Sequence, residues 1–335
     1  MSVRQHWRLT VAAAVAVAAV TGCGSGDTET AAPSNGDSTA TRVFSADNGD
    51  ITIPVGPERV VATGYAVPVL IEADAALVGI STWKRGLAMM TEQDRATYDR
   101  LPKVAGEAAA ETNYEAIAAA KPDLIVIGVP KPVLGDIDMK RLESIAPVVA
   151  IGPTVPDAWR ELSRRQSDAA GRTEHFQAAK DAYEKRSGEL KAKYGTALAS
   201  LKFGHVGAYG DISKGTFQRE FAKAWGTNIA QDAGVTYYGE VKEKAGGGRD
   251  VSEYPALEEL PESLGEADAI TYTVQPDGTP AEAVKQVLDS ALWKNLPAVK
   301  AGRVFPLQYT EAATYESAIK TLDSIDKALA PLLTR

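Results

Sequence analysis

The run Leu124-Ile125-Val126-Ile127-Gly128 is apolar on every residue, and Val148 to Ile151 repeats the pattern. A strand with one wet face alternates apolar and polar residues, so a strand that does not alternate must be covered on both faces, as in doubly wound parallel sheets. Amphipathic segments of helical period separate these runs. Arg59–Thr63 reads as a strand, Pro68–Ala75 as a helix with proline in its first turn, Ala76–Ser81 as a strand and Tyr114–Ala120 as a helix. Leu124–Gly128 comes next as a strand, Ile137–Ile145 as a helix and Val148–Ile151 as a strand. This βαβ alternation predicts a three-layer α/β lobe that ends near Gly152.

From Asp157 to Tyr194 no strand signal occurs, Gly171 is read as the breaker, and Thr173 is the expected N-cap of a long helix. Phe176, Ala179, Ala182, Tyr183 and Leu190 recur at helical spacing, predicting a rod of roughly 30 Å, long enough to bridge two lobes. The alternation then returns. Phe203–Tyr209 reads as a strand, Thr216–Trp225 as a helix, and a glycine-rich loop leads to Val251–Leu260. Ala269–Val274 reads as a strand, a helix runs from Pro280, Val304–Leu307 is a strand and a terminal helix starts at about Thr314. Thr279-Pro280-Ala281-Glu282 combines a capping box with proline at the first helical position. The expectation is two three-layer α/β lobes, residues 43–155 and 196–335, joined through linking helices over 156–195 that include one long one.

The N-terminal segment is of a different kind. Arg4 and Arg8 precede a stretch from Leu9 to Val20 that is apolar except for Thr10. About twelve residues are too few for a bilayer-spanning helix, which needs about 20, but fit a secretory signal. It ends in Val20-Thr21-Gly22-Cys23, which resembles a bacterial lipobox, so residues 1–22 are expected to be a lipoprotein signal peptide and Cys23 its lipidation site. Cys23 is the chain's one cysteine, so no internal disulfide can form. Gly24 to Thr41 holds no large apolar side chain and reads as a flexible tether, taking the lipidated cysteine and tether to residues 23–42. Such an address argues against ATP- or NAD-dependent chemistry, and no phosphate-binding or nucleophile-elbow motif is present.

Charge excludes a further class. Lys+Arg 36 against Asp+Glu 44 gives −8, and loss of residues 1–22 removes Arg4 and Arg8 and no acid, leaving −10. An acidic surface repels polyanions, so a nucleic-acid partner is not expected. Three histidines leave little for a His-rich metal centre. His175 falls in the linking segment and His205 inside a strand, so neither is placed as a base beside an exposed nucleophile, and a lipid-anchored hydrolase is the weaker class of function.

Three passages carry a family resemblance: Arg59-Val60-Val61-Ala62-Thr63; Tyr114-Glu115-Ala116-Ile117 through Lys121-Pro122-Asp123-Leu124-Ile125; and Trp293-Lys294-Asn295-Leu296-Pro297 through Gly302-Arg303-Val304. Together they resemble the substrate-binding lipoproteins of bacterial ABC importers that carry iron–siderophores, haem and cobalamin, whose lobes are joined by a single long helix. Within that group the chain is most similar to actinomycete ferrioxamine-type binders. The resemblance implies a non-catalytic, monomeric receptor with no cofactor, lipid-anchored on the extracytoplasmic face of the membrane. Its ligand would be a ferric hydroxamate siderophore, and its partner an ABC transporter permease. A haem or cobalamin carrier on the same scaffold and a direct Fe³⁺ binder through Tyr237 and Tyr238 are the competing readings.

In open parallel sheets ligands bind beyond the carboxyl ends of the strands. That rule selects Tyr65, Trp83, Arg85 and Lys131 in the first lobe, and Tyr209, Tyr237, Tyr238, Arg249 and Tyr309 in the second. Aromatic walls would bury the aliphatic shell of a hydroxamate chelate, and Arg or Tyr donors would meet its oxygens. By resemblance, Tyr238 and Tyr309 match aromatics of the family's hydroxamate binders. The family's arginine ahead of the Tyr114 motif is replaced here by acidic and small residues from Glu107 to Glu111, which leaves Arg85 and Arg249 as candidate donors. The resemblance also assigns Glu115, and Glu253 one residue off the family spacing, to docking on the permease. Ferric tris-catecholates are strongly anionic and ferric trihydroxamates are neutral or cationic, so the acidic chain favours the latter.

Overall fold

The computed structural model describes residues 40–334; the expected signal peptide, Cys23 and nearly all of the tether lie outside the described residues. Residues 41–54 form an antiparallel hairpin, β1 (Thr41–Ala46) and β2 (Gly49–Pro54), to which the sequence pattern assigns no element. Phe44 and Ile53 bury against the first lobe, and the Asp47 amide donates to Ala150 O at 2.8 Å.

The first lobe is a five-stranded parallel sheet in the order β5-β4-β3-β6-β7. Its strands are β3 (Val60–Gly64), β4 (Leu77–Ser81), β5 (Lys103–Ala105), β6 (Leu124–Gly128) and β7 (Val148–Ala150). Every residue of β3, β6 and β7 is buried, and the pleat divides their side chains between two cores. Val60, Ala62 and Val126 face α1 (Ala66–Glu72) and α2 (Glu92–Arg100), whereas Val61, Ile125 and Ile127 face α3 (Tyr114–Ala120) and α4 (Met139–Glu143).

Two helices leave this lobe: α5 (Trp159–Ala169), and α6 (Thr173–Leu198) with 26 residues, about 39 Å at about 1.5 Å per residue. Phe176, Tyr183, Leu190, Tyr194 and Leu198 form its buried stripe, while Ala182, expected on that face, is exposed. Thr173 is the first helical residue and not the cap; Arg172 holds the N-cap position without a side-chain hydrogen bond.

The second lobe has a five-stranded sheet in the order β10-β9-β8-β11-β12, built from β8 (Phe203–Val206), β9 (Arg219–Glu220), β10 (Ser252–Glu253), β11 (Ala269–Thr273) and β12 (Val304–Leu307). The expected helix over Thr216–Trp225 is not there. Its centre is β9, antiparallel to β8, because the Arg219 side chain, 1% exposed, is a core residue and not part of a wet helical face. Its guanidinium lies over the Phe221 and Tyr238 rings at 4.7 and 4.9 Å and donates to the carbonyls of Glu220 and Tyr238 at 2.7 and 3.1 Å. One face of the sheet carries α6, α7 (Asn228–Asp232) and α12 (Tyr315–Leu329), and the other α8 (Leu260–Leu264), α9 (Glu282–Asp289), α10 (Ala291–Asn295) and α11 (Pro297–Lys300). The helix expected from Pro280 starts two residues later: Ala281 is the extended N-cap of α9, and the Thr279 hydroxyl donates to Asp277 at 2.6 Å instead of capping. Thr314 does cap α12, accepting from the Ser317 amide.

The lobes meet at the N-terminus of α12. Glu72 of α1 accepts from the Glu316 amide at 3.0 Å, and Lys320 donates to the Met90 carbonyl at 2.6 Å. Burial raises the Glu72 carboxyl to about 8, with Glu316 and Asp94 adding to the rise against hydrogen bonds that lower it. A folded-state value above the ordinary one means that stability tied to Glu72 is complete below about pH 4.5 and is lost as pH rises through about 8. Glu72→Gln, which carries no titrating group, is therefore expected to gain in urea midpoint over the wild type between about pH 5 and about pH 9. Parallel midpoints at both pH values would refute this placement of Glu72.

Candidate interlobe site

Strand order reverses between β3 and β6 in the first sheet and between β8 and β11 in the second, which are the crevices where open α/β sheets take ligands. Tyr65 follows β3 directly and sits at the first crevice. Trp83, after β4, packs edge-on against it with ring centroids 4.8 Å apart, and is itself 4% exposed, so it supports Tyr65 from below. Gly86 allows that packing, since a Cβ there would lie 2.2 Å from Trp83 Nε1. Arg85 donates to the Tyr65 hydroxyl at 3.1 Å, lies over both rings, and faces Glu107 at 3.8 Å.

The opposing wall belongs to the second lobe. Trp225 lies parallel to Tyr65, centroids 6.2 Å apart and planes inclined by 4°, so one ring from each lobe meets across the cleft. Tyr209, 50% exposed, donates its hydroxyl to Glu311. Burial and the nearby Glu311 carboxylate push the Tyr209 phenol up; burial also raises Tyr65, with Arg85 opposing it. Tyr309 is held at φ +60°, a left-handed conformation that a tyrosine adopts only under constraint, and its carbonyl accepts from the Thr321 hydroxyl at 2.5 Å. This fixes Thr310 and Glu311 at the edge of the cleft.

Two hollows open here. The larger, of 590 Å³, has Tyr209, Trp225, Tyr254 and Arg249 on its walls and Glu220 at its base. The smaller, of 170 Å³, runs between Arg85 and Met89 of the first lobe and Tyr309 and Glu311 of the second. Tyr209 lines one, Glu311 lines the other, and their hydrogen bond marks the boundary. Below the larger hollow, Glu220 accepts from the Gly226 amide at 2.7 Å and lies 3.4 Å from His205. Burial drives both groups toward their neutral forms, Glu220 up to about 7 and His205, with help from Arg219, down to about 3.

The cleft thus brings together Tyr65, Trp83, Arg85, Tyr209, Arg249 and Tyr309 of the expected set. It does not bring in the other three. Tyr237 is a core residue whose hydroxyl pairs with Thr271 at 2.8 Å, because the bridge between Phe203 and Tyr237 turns its ring under the sheet. Tyr238 packs on the opposite face and donates to the Ser263 carbonyl at 2.8 Å. Lys131 is exposed and lines neither hollow. Sequence reasoning missed Trp225, hidden inside a supposed helix, and Glu311, two residues beyond the tyrosine that it did select. Glu115 is exposed on the first turn of α3 and paired with Arg141; Glu253, on β10, accepts from the Lys242 amide. Among the described residues no group of three or more His, Cys, Asp or Glu could hold a metal ion, and no helix is long and apolar enough to cross a membrane.

Two α/β lobes on one long helix, with an aromatic cleft between the carboxyl ends of their strands, define a substrate-binding protein of the single-helix-hinge class. The chain belongs to the periplasmic binding protein family, whose model matches residues 60–309. It is 24% identical over 298 residues to the iron(3+)-hydroxamate-binding protein YxeB of Bacillus subtilis (strain 168), covering 87% of this chain and 86% of that one. Against the iron(3+)-hydroxamate-binding protein FhuD of the same organism it is 25% identical over 306 residues, with 87% and 86% covered. Among solved structures, the siderophore periplasmic binding protein from the fuscachelin gene cluster of Thermobifida fusca aligns with a TM-score of 0.66 at 30% identity, covering 83% of this chain and 98% of that one. Proteins of this family bind and hand on substrates and are not enzymes, and what they carry is a ligand, not a cofactor.

The placement of Tyr237 gives a direct check. Tyr237→Phe removes a buried hydrogen bond and is expected to cost about 1 kcal/mol of stability, read in urea unfolding, with the cleft tryptophan emission unchanged. A change in that emission at native conditions would put Tyr237 in the cleft after all.

Proposed function

We propose that the protein is an extracytoplasmic receptor, anchored through lipidated Cys23, that binds a ferric hydroxamate siderophore of the ferrioxamine type between its lobes and delivers it to an ABC permease. The observation that carries this reading is the cleft itself: Tyr65, Trp225 and Tyr209, drawn from both lobes, with Arg85 and Arg249 among them. A trihydroxamate chelate encloses its ferric ion in methylene chains and presents a few carbonyl and N–O oxygens. Rings bury the former and guanidinium or phenol groups satisfy the latter. The curated relatives named for iron(3+)-hydroxamate binding support the same cargo.

Two arginines are too few to neutralise a strongly anionic tris-catecholate, and Glu220 and Glu311 lie beside them. Direct ligation of Fe³⁺ by Tyr237 and Tyr238 is disfavoured by their hydrogen bonds, which run to Thr271 and Ser263 on opposite faces of one sheet. In the permease-docking role, Glu115 is the stronger candidate, since its side chain is 84% exposed; Glu253 is half-buried and engaged with Lys242.

Intrinsic fluorescence is expected to quench on titration with ferrioxamine B and much less with the iron-free chelator, ferric citrate, haem or cobalamin. Trp225→Ala should weaken chelate binding about tenfold or more, in line with the loss of a buried aromatic wall; equal response to all five additions would reject the siderophore reading. In cells, Glu115→Ala is expected to leave chelate affinity intact and impair iron uptake, while Cys23→Ala should release the protein from the membrane fraction. Normal uptake by Glu115→Ala, or membrane retention of Cys23→Ala, would remove the corresponding role.

A further inference from the structure

The smaller hollow is not needed to hold the body of a chelate. At 170 Å³ it has less than a third of the 590 Å³ of the larger hollow, room for a side arm and not for a chelate body. Much of its wall is short and aliphatic: Ala88, Met89, Ala208, Val274 and Ala281. Its polar side comes from Arg85, from Thr273 and Gln275 at the end of β11, and from the segment in which Thr310 and Glu311 follow the constrained Tyr309. Apolar walls and a carboxylate are the recognition features of an alkylammonium group, whose methylenes need burial and whose head needs an anion.

The arrangement of charges agrees. Arg85, the other charged lining residue, is held on the first-lobe side by the Tyr65 hydroxyl at 3.1 Å and faces Glu107 at 3.8 Å. Glu311 accepts from the Tyr209 hydroxyl through Oε1 on the opposite wall, at the boundary with the larger hollow. Its negative charge is felt by Tyr65, Tyr209 and Glu220 and also by Arg85 in the same hollow, all of which it raises. An arm entering from the larger hollow would pass Tyr209 and meet Glu311 within the smaller one.

Resting on the receptor function proposed above, we infer that the smaller hollow is a subsite for a pendant aliphatic amine of the cargo, with Glu311 as the ammonium's counter-charge, so that the protein selects linear hydroxamate chelates over cyclic ones. The geometry separates the ferric core, held among Tyr65, Trp225 and Tyr209, from the arm, held between Met89 and Ala281.

Three ferric chelates of the full chain's expected cargo class separate the possibilities: ferrioxamine B, with a free pentylamine arm; its N-acetyl derivative, with the arm but no charge; and cyclic ferrioxamine E, with no arm. Wild-type protein is expected to bind ferrioxamine B about tenfold more tightly than either of the others. Glu311→Gln should bring ferrioxamine B down to the level of the acetylated chelate. Ala281→Leu, at a half-buried position whose extended backbone accepts leucine, should fill the hollow, weakening ferrioxamine B about tenfold and leaving ferrioxamine E unchanged. Equal wild-type affinity for all three, or an equal loss of B and E in Ala281→Leu, would overturn the arm subsite while leaving the receptor function standing. Failure of the wild type to bind any of the three would overturn both.

Discussion

A parallel sheet covered on both faces leaves its strand ends as the places where backbone and solvent meet, and the rest of this molecule depends on that constraint. Buried β3, β6 and β7 have no face to offer a ligand, so recognition moves to the loops beyond their carboxyl ends. Two doubly covered sheets, the second with β9 antiparallel to its neighbours, sit on one connecting segment and turn two sets of loops toward a single crevice. The aromatics then complete what neither lobe could do alone: Tyr65 has Trp83 beneath it in its own lobe and Trp225 opposite it in the other. A ring with one face on protein and the other on a partner ring is a wall already assembled before cargo arrives.

The legibility of these features in the sequence tracks how local their causes are. Strands such as Leu124–Gly128 and helices such as Tyr114–Ala120 were readable to the residue because burial on both faces and an apolar helical stripe leave their mark within each segment. Tyr65, Trp83 and Arg85 could be selected because they follow strand ends directly. Tyr237 and Tyr238 could not be sorted the same way: they flank no strand of their own, and the side each ring takes is set by pairing with Phe203, a neighbour more than thirty positions away. The misread helix over Thr216–Trp225 has the same origin. Arg219 counts as a surface residue by type, yet four carbonyl contacts and two aromatic rings offset the cost of its burial, and His205, Tyr238 and Ser263 among those partners lie outside a window of ten residues. Trp225 was lost with that helix. The misplaced start of α9 was a contest between two local signals, and the Asp277 turn took the Thr279 hydroxyl that the capping box required.

Electrostatics in the crevice is a balance struck within a chain of net charge −8. Arg85 and Glu311 line one hollow, and Arg249 and Glu220 line the other. Glu220 is drawn toward its neutral form by burial, and Glu311 lies beside Tyr209 and Tyr65, both of which it raises.

The contacts between the lobes also differ in strength, and the difference sets where motion is cheapest. At the joint, Glu72 accepts from the Glu316 amide, Lys320 donates to the Met90 carbonyl, and Arg160 of α5 binds Asp232 of α7. Hydrogen bonds to charged groups such as Lys320 and Arg160 contribute roughly 1.5–3 kcal/mol each, and the bond to Glu72, whose carboxyl burial drives toward its neutral form, about 1 kcal/mol. Across the cleft the Tyr65 and Trp225 rings stack, and such pairs add about 0.5–1.5 kcal/mol beyond area burial. Separating the rings while keeping the joint intact is therefore the least costly opening, and it is the opening that exposes both hollows together. A rod of 26 residues, its stripe from Tyr183 to Leu198 buried in the core of the second lobe, moves with that lobe and concentrates the change at its α5 end.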